Sequence, residues 1–283
     1  MKKIVVVGSM NMDLVSNLVA FPKPGETIHS LGVHYYPGGK GANQAVAAAR
    51  SGASVQMIGA VGTDSFAKEL IDNLADSGVD TESILQKEGH SGLALITVDQ
   101  AGENQIILAA GSNTSFSYEE IECRIDWNDA YAILLQNEIA WDTTAAVMQA
   151  AQKKGVPVWF NPAPALKLEQ TLLSTIHTCI LNETEIEVMT GEKVSSQEDA
   201  AKAGKRLLDA GVSQVIVTLG DKGCVSIHQG SEPCYVPAFR VKAVDTTAAG
   251  DTFIGAYAAA ACTGMSVVEA LKYATAASAC TVT

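Results

Sequence analysis

Two carboxylates, Asp245 and Asp251, stand six residues apart in the run Val244-Asp245-Thr246-Thr247-Ala248-Ala249-Gly250-Asp251-Thr252-Phe253, with only small residues between them. The residues after Gly250 continue as an alanine-rich stretch to Ala261, which reads as a buried helix. Ala248, Ala249 and Gly250 then form its first turn. Helix N-termini carry backbone N–H groups without intrahelical partners and favour negative charge, and small side chains let an anion approach closely. Asp251 at this helix start is either a cap or a catalyst, because Asp and Thr at a helix N-terminus are ordinary capping residues.

Other residues with chemical potential recur after short apolar runs. Ile4-Val5-Val6-Val7 reads as a buried strand, and Gly8-Ser9-Met10-Asn11-Met12-Asp13 follows it as a turn bearing polar groups. Asn137-Glu138, Asn161, Asn182-Glu183-Thr184-Glu185 and Gly220-Asp221-Lys222-Gly223 follow later strands in the same way. In open α/β sheets, ligands bind at the carboxyl ends of strands, although polar loop residues also serve as caps and solvated turns. Pro37-Gly38-Gly39-Lys40-Gly41-Ala42-Asn43-Gln44 opens a second alanine-rich helix. It matches neither the P-loop nor the dinucleotide glycine fingerprint.

The elements that must position these groups alternate. Strand-like runs at Val55 to Gly62, Tyr131 to Leu135, Val156 to Phe160, Thr178 to Leu181 and Gln214 to Leu219 are separated by helical patterns. The helices are expected at Ser65 to Ser77, Thr143 to Lys154, Leu166 to Thr175 and Ser196 to Ala210. Repeated βαβ units predict a mostly parallel sheet covered by helices on both faces, an α/β fold. Two patches break the rhythm. About residues 14–36 contain strand-like Thr27 to Val33, and Gly92 to Leu108 forms a hairpin around Asp99-Gln100-Ala101-Gly102. They are expected to pair into a small separate sheet, a lid or an oligomer face.

A chain of 283 residues, 47% hydrophobic and 18% charged, suits one large α/β domain with a sizeable core. The net charge of −12, without a basic cluster, argues against nucleic acid or an anionic membrane surface as partner. Six cysteines without metal spacing read as reduced core residues of a cytoplasmic protein. The apolar start breaks after four residues, which favours a first strand over a signal peptide, and no membrane span is expected.

Taken together, three motifs resemble the carbohydrate kinases of the ribokinase family. They are Gly38-Gly39-Lys40-Gly41-Ala42-Asn43-Gln44-Ala45, Asn182-Glu183-Thr184-Glu185, and Asp245 through Phe253. They occur in the family's order, and with Asn11-Met12-Asp13 and Thr218-Leu219-Gly220 the match runs from the first strand to the end of the chain. The resemblance implies a core of about nine strands with a β lid that covers the sugar and often forms a homodimer interface. It also implies transfer of a phosphoryl group from ATP to a sugar hydroxyl, with the 5-hydroxyl of ribose favoured. Other sugars or nucleosides are the alternative substrates.

By the same resemblance, Asp251 is the general base and the Ala248, Ala249 and Gly250 backbone is the anion hole. Asn11, Asp13, Gly39, Lys40, Asn43, Glu138 and Asp251 face the sugar. Asn182, Thr218, Leu219, Gly220, Asp221, Lys222, Gly223, Gly250 and Thr275 face the nucleotide. Glu185 helps hold Mg²⁺ through water, while Asp245 and Thr247 ligate a monovalent cation, typically K⁺. The family's usual closing segment, with a further cation loop and a helix, is expected to be missing after Thr283. Two rival readings are weaker. A non-catalytic sugar or nucleotide sensor would not need Asp251 and Gly250 intact, and a dinucleotide oxidoreductase would need the glycine fingerprint after the first strand.

Overall fold

The computed structural model describes residues 2–283. In chain order the elements are β1 (Lys3–Val7), β2 (Asn11–Asn17), β3 (Gly32–Gly38), α1 (Lys40–Arg50), β4 (Val55–Val61), α2 (Phe66–Asp76) and β5 (Ile84–Gln86). Then come β6 (Gly92–Val98), β7 (Asn104–Ala109), α3 (Tyr118–Ile121), β8 (Ala130–Leu135), α4 (Trp141–Lys154), β9 (Val158–Phe160) and α5 (Gln170–Leu173). The chain continues through β10 (Ile176–Asn182), α6 (Glu183–Thr190), α7 (Gln197–Asp209), β11 (Gln214–Thr218), β12 (Cys224–His228), β13 (Cys234–Val236), α8 (Ala249–Cys262) and α9 (Val267–Thr281).

Nine strands form the main sheet in the order β13-β12-β11-β10-β9-β8-β1-β4-β5. Only β12 runs against its neighbours, so the expected mostly parallel α/β architecture is present. Side chains of β1 alternate between the two faces. Ile4 and Val6 join the core under α1, α2, α8 and α9, while Val5 and Val7 join the core under α4 and α7. Two buried faces explain why these strands are continuous apolar runs. Strand order reverses between β1 and β8, the point where an α/β sheet opens a crevice for ligand.

The second sheet has four strands in the order β3-β2-β6-β7. Its strands differ in place from the sequence expectation. Asn11 to Asp13, expected as a turn, lies in β2, which pairs in parallel with β6 and antiparallel with β3. The expected strand at Thr27 to Val33 begins instead at Gly32. Pro22, Pro24 and Gly25 precede it in an exposed, irregular segment, and pairing resumes only where Asn17 meets Gly32.

Two helical expectations also change. The segment Leu166 to Thr175 forms only the single turn of α5, because Leu168, Leu172 and Leu173 reach the core without a regular helix. Asn182 to Glu185, read as a loop, closes β10 and starts α6. There the Asn182 side chain accepts from the Glu185 N–H at 2.9 Å, while Glu185 accepts from the Asn182 N–H at 2.9 Å. This reciprocal capping box explains the Asn-x-x-Glu spacing locally.

Candidate active site

The start of α1 sets one wall. Gly39 caps the helix with φ 93°, a left-handed conformation open to glycine, and an added Cβ would stand 2.8 Å from the Asn11 nitrogen. Glu138, just after β8, accepts from the Lys40 N–H at 3.1 Å and from Ser9 Oγ at 2.6 Å. These contacts cross the crevice between β1 and β8. They also set a carboxylate on the first N–H of α1, where the helix dipole favours it, while the next N–H, of Gly41, donates to Ser9 Oγ. Asn11 Oδ1 accepts from Asn113 Nδ2 at 2.7 Å, so Asn11 is fixed in rotation.

The other wall is α8. An added Cβ at Gly255 would stand 2.5 Å from the Gln44 carbonyl oxygen, so glycine there lets α1 and α8 approach closely. Asp251 lies one turn earlier on α8 and faces the same neighbour. Its Oδ1 accepts from Gln44 Nε2 at 2.9 Å and its Oδ2 from Asn43 Nδ2 at 3.4 Å. Ala248 precedes the helix at φ 57°, the one non-glycine residue with positive φ among those described. In this turn the Ala249 N–H reaches Thr246 O at 3.3 Å, whereas the N–H groups of Ala248, Gly250 and Asp251 have no backbone acceptor among the described residues. The expected donor set of Ala248, Ala249 and Gly250 is therefore changed: among the described residues three N–H groups are free, those of Ala248, Gly250 and Asp251.

Between these walls lies a cleft of about 230 Å³ lined by Lys40, Asn182, Glu185, Thr218, Gly250 and Asp251, among others. It joins the catalytic carboxylate expected from sequence to the start of α6. Glu185 Oε1 accepts from Asn182 Nδ2 at 3.0 Å, and Glu185 Oε2 accepts from Asn161 Nδ2 at 3.3 Å. Gly220 to Lys222 form an exposed turn after β11, where Lys222 Nζ donates to Ser195 O at 2.9 Å. Leu219 is buried beneath that turn. Gly223 ends the turn, its N–H donating to the Gly220 carbonyl. Thr275 is buried on α9 and donates to Leu271 O at 2.7 Å; it is not among the residues lining the cleft. Asp245 and Thr247 are exposed before α8, with the Thr247 N–H donating to Asp245 Oδ1 at 2.8 Å.

The electrostatics separate the carboxylates. Burial pushes Asp13 up to about 6, and the charges of Glu138 and Asp251 push the same way. Burial also raises Asp251, opposed by Lys40 and by the donors Gln44 and Asn43. Glu185 is raised by burial against the pull of the Asn182 N–H, Lys40 and Asn161. Asp245 is held below the usual carboxylate range by Thr247. A raised carboxylate in a cleft beside free N–H donors suits proton abstraction next to an anion.

Sequence reasoning did not assign Ser9, Asn113, Gln136 or Gln44 to the site, although Gln44 lies in a motif it used. Ser9 and Gln136 follow the two strands at the order reversal, which was a usable signal. Asn113 offered none, because its partner Asn11 is 102 residues away in sequence.

A mostly parallel sheet with a crevice at its order reversal, a buried carboxylate and free N–H donors at a helix start are the parts that transfer of an anionic group would use. The sequence matches the family described as pfkB family carbohydrate kinase over residues 1–283, and the chain belongs to that family. It is 40% identical to a ribokinase of Haemophilus influenzae over 286 aligned residues, covering 100% of this chain and 92% of that one. It is 38% identical to a deoxyribokinase of Salmonella typhimurium, covering 90% of this chain and 84% of that one. Among solved structures it is similar to Arabidopsis thaliana ribokinase complexed with ribose and ATP, with a TM-score of 0.92, 33% identity, and coverage of 99% and 92%.

Proposed function

We propose that this protein transfers the γ-phosphoryl group of ATP to the 5-hydroxyl of ribose, with Asp251 as general base. The observation that carries the reading is Asp251 itself, buried at the start of α8, lining the cleft and bonded to Gln44 of the opposite wall. Likeness to ribokinases over nearly the whole chain supports the substrate. The similarity to a deoxyribokinase supports 2-deoxyribose as the second reading.

In this reading Asn11, Asp13, Gly39, Lys40, Asn43 and Glu138 bind the sugar. Paired carboxylates and amides suit vicinal hydroxyls, which both donate and accept. Asp251 takes the hydroxyl proton as the oxygen attacks, and the free N–H donors of Ala248, Gly250 and Asp251 stabilise charge on the phosphoryl oxygens, while the Ala249 N–H, expected to join them, is turned to Thr246 O. Lys40 in the same cleft adds positive charge beside Asp251. Asn182, Thr218 through Gly223, Gly250 and Thr275 form the nucleotide side.

The donor set fits Mg²⁺. This ion keeps much of its water and needs one or two carboxylates besides substrate phosphates, and Glu185 supplies a carboxylate lining the cleft. Bound there, Mg²⁺ would neutralise phosphate charge. Asp245, held ionised, and Thr247 offer oxygens for K⁺ beside the anion-binding turn. The small sheet exposes Tyr35, Ile106, Ile107 and Leu108, an apolar surface that supports homodimerisation through the lid. The six cysteines are unpaired, which supports a cytoplasmic setting. Among the described residues no helix is long and apolar enough to cross a membrane.

A coupled ADP-release assay over ribose, 2-deoxyribose, fructose and nucleosides tests the reading. Ribose is expected to give the highest kcat/KM, and the measurement with and without K⁺ tests the cation loop. Preference for 2-deoxyribose would select the second reading, and release independent of every sugar would reject both.

A further inference from the structure

Behind the catalytic carboxylate lies a set of buried amides to which the mechanism assigns no role. Gln44 and Gln136 are 0% exposed and Asn161 is 4% exposed. Gln136 Nε2 donates to Gln44 Oε1 at 2.7 Å. Gln44 Nε2 then donates in two directions, to Asp251 Oδ1 at 2.9 Å and to Asn161 Oδ1 at 3.3 Å. Asn161 Nδ2 in turn donates to Ile180 O at 2.9 Å and to Glu185 Oε2 at 3.3 Å. Apart from the anchoring bond to Ile180 O, every bond points from Gln136 towards the two carboxylates.

That direction is enforced. Turned over, the Gln44 amide would aim its carbonyl at a carboxylate and at another carbonyl, leaving acceptors facing acceptors. The first link shows a cost: Gln136 Oε1 is buried without any hydrogen-bond partner among the described residues. A buried orphan acceptor is uncommon and calls for a reason. Gly8 makes the room for it, since an added Cβ would fall 2.2 Å from that oxygen. Strand β8 is thus followed by a glutamine held in an unfavourable pose that fixes the amide of Gln44.

We propose that Gln136, Gln44 and Asn161 form a one-directional hydrogen-bond relay that positions Asp251 and Glu185 as one unit, so that Gln44 and Gln136 are positioning residues for phosphoryl transfer. The proposal rests on the reading of Asp251 as general base. Holding Oδ1 against Gln44 leaves Oδ2, with only the longer bond from Asn43, for the sugar hydroxyl. The second branch ties the same amide to the carboxylate expected beside the metal and phosphates. Sugar-side and nucleotide-side groups are thereby set in register by a single buried amide.

The test compares kcat, ribose KM and the pH profile of kcat for the parent enzyme, Gln44→Met, Gln136→Met, Gln136→Glu and Asp251→Asn, with thermal melts as a folding control. The charged groups that influence Asp251 are Lys40 on α1, Asp13 on β2 and Glu185 on α6, and all remain in the glutamine variants. Loss of a donor to an ionised carboxylate raises its pKa, so the acidic limb of the profile moves to higher pH. Gln44→Met should lower kcat by about 10–100-fold, move that limb up by about one unit and change ribose KM by less than about threefold. Gln136→Met should act in the same direction and more weakly. Gln136→Glu should exceed it, because a carboxylate there draws the Gln44 N–H groups away from Asp251.

A folded Gln44→Met enzyme with parental kcat and acidic limb would overturn the relay. If Gln44→Met does not fold, the Gln136 pair decides: a Gln136→Glu enzyme no more impaired than Gln136→Met overturns it. Parental turnover in Asp251→Asn would instead reject the base reading, whatever the glutamine variants do. An inactive Asp251→Asn beside an unperturbed Gln44→Met would reject the relay alone.

Discussion

Asp13 is expected to sacrifice stability for sugar binding, and Asp13→Asn separates the two. Its carboxylate accepts no hydrogen bond from the protein among the described residues, and Gly38 packs so near that an added Cβ would stand 2.2 Å from Oδ2. Burial and the charges of Glu138 and Asp251 move it from 3.8 to about 6. A shift of about two units corresponds to at most about 3 kcal/mol, and partial solvent exposure reduces this to about 1–2 kcal/mol. The sign follows from the raised value. The native fold holds the proton more tightly than the unfolded chain, so the favourable contribution is complete below 3.8 and lost as pH rises through about 6. Asp13→Asn should therefore raise Tm by about 2–6 °C at neutral pH and by little near pH 4. Ribose affinity should fall about tenfold or more, since a charged acceptor is lost. Differential scanning calorimetry across pH, paired with ribose titration, measures both. A variant destabilised at neutral pH, or stabilised equally at both pH values, would refute this account of Asp13.

Three further outcomes are expected. Glu185→Gln should raise the Mg²⁺ concentration needed for half-maximal rate by about tenfold or more, read in a Mg²⁺ titration at saturating ribose and ATP. Ala248 sits at φ 57°, so Ala248→Gly should keep near-parental kcat while Ala248→Val, a β-branched residue in a left-handed turn, should lose both stability and turnover in melts and steady-state assays. On the proposed pairing through the small sheet, the parent should sediment as a dimer and Ile107→Arg on the exposed strand β7 as a monomer, without unfolding of the main sheet.

The main sheet was legible because its strands are buried on both faces. Ile4 to Val7, Tyr131 to Leu135 and Gln214 to Leu219 each read as short apolar runs, and each is a strand. Strand β2 was not legible as a strand. Asn11, Asp13 and Ser16 are polar residues of the small separate sheet, so their polarity mimics a turn. Helix α6 was hidden for a related reason: Asn182 and Glu185 drew attention as chemistry, while their spacing also forms a capping box. The site followed the same division. Residue types and helix starts pointed to Asp251, Lys40 and Glu185, all of which line one cleft. The position of Gln136 after β8 was a usable signal, but its pairing with Gln44 was not, because the two are 92 residues apart in sequence.

The central claim, that Asp251 removes the proton from the attacking sugar hydroxyl, is tested most directly by Asp251→Asn. The change keeps shape and removes the base. Turnover with ribose and ATP should fall by roughly 10²–10⁴-fold or more, while calorimetry finds ribose affinity within a few-fold of the parent. Near-parental turnover with intact ribose binding would contradict the account and leave Asp251 a structural partner of Gln44 and Asn43.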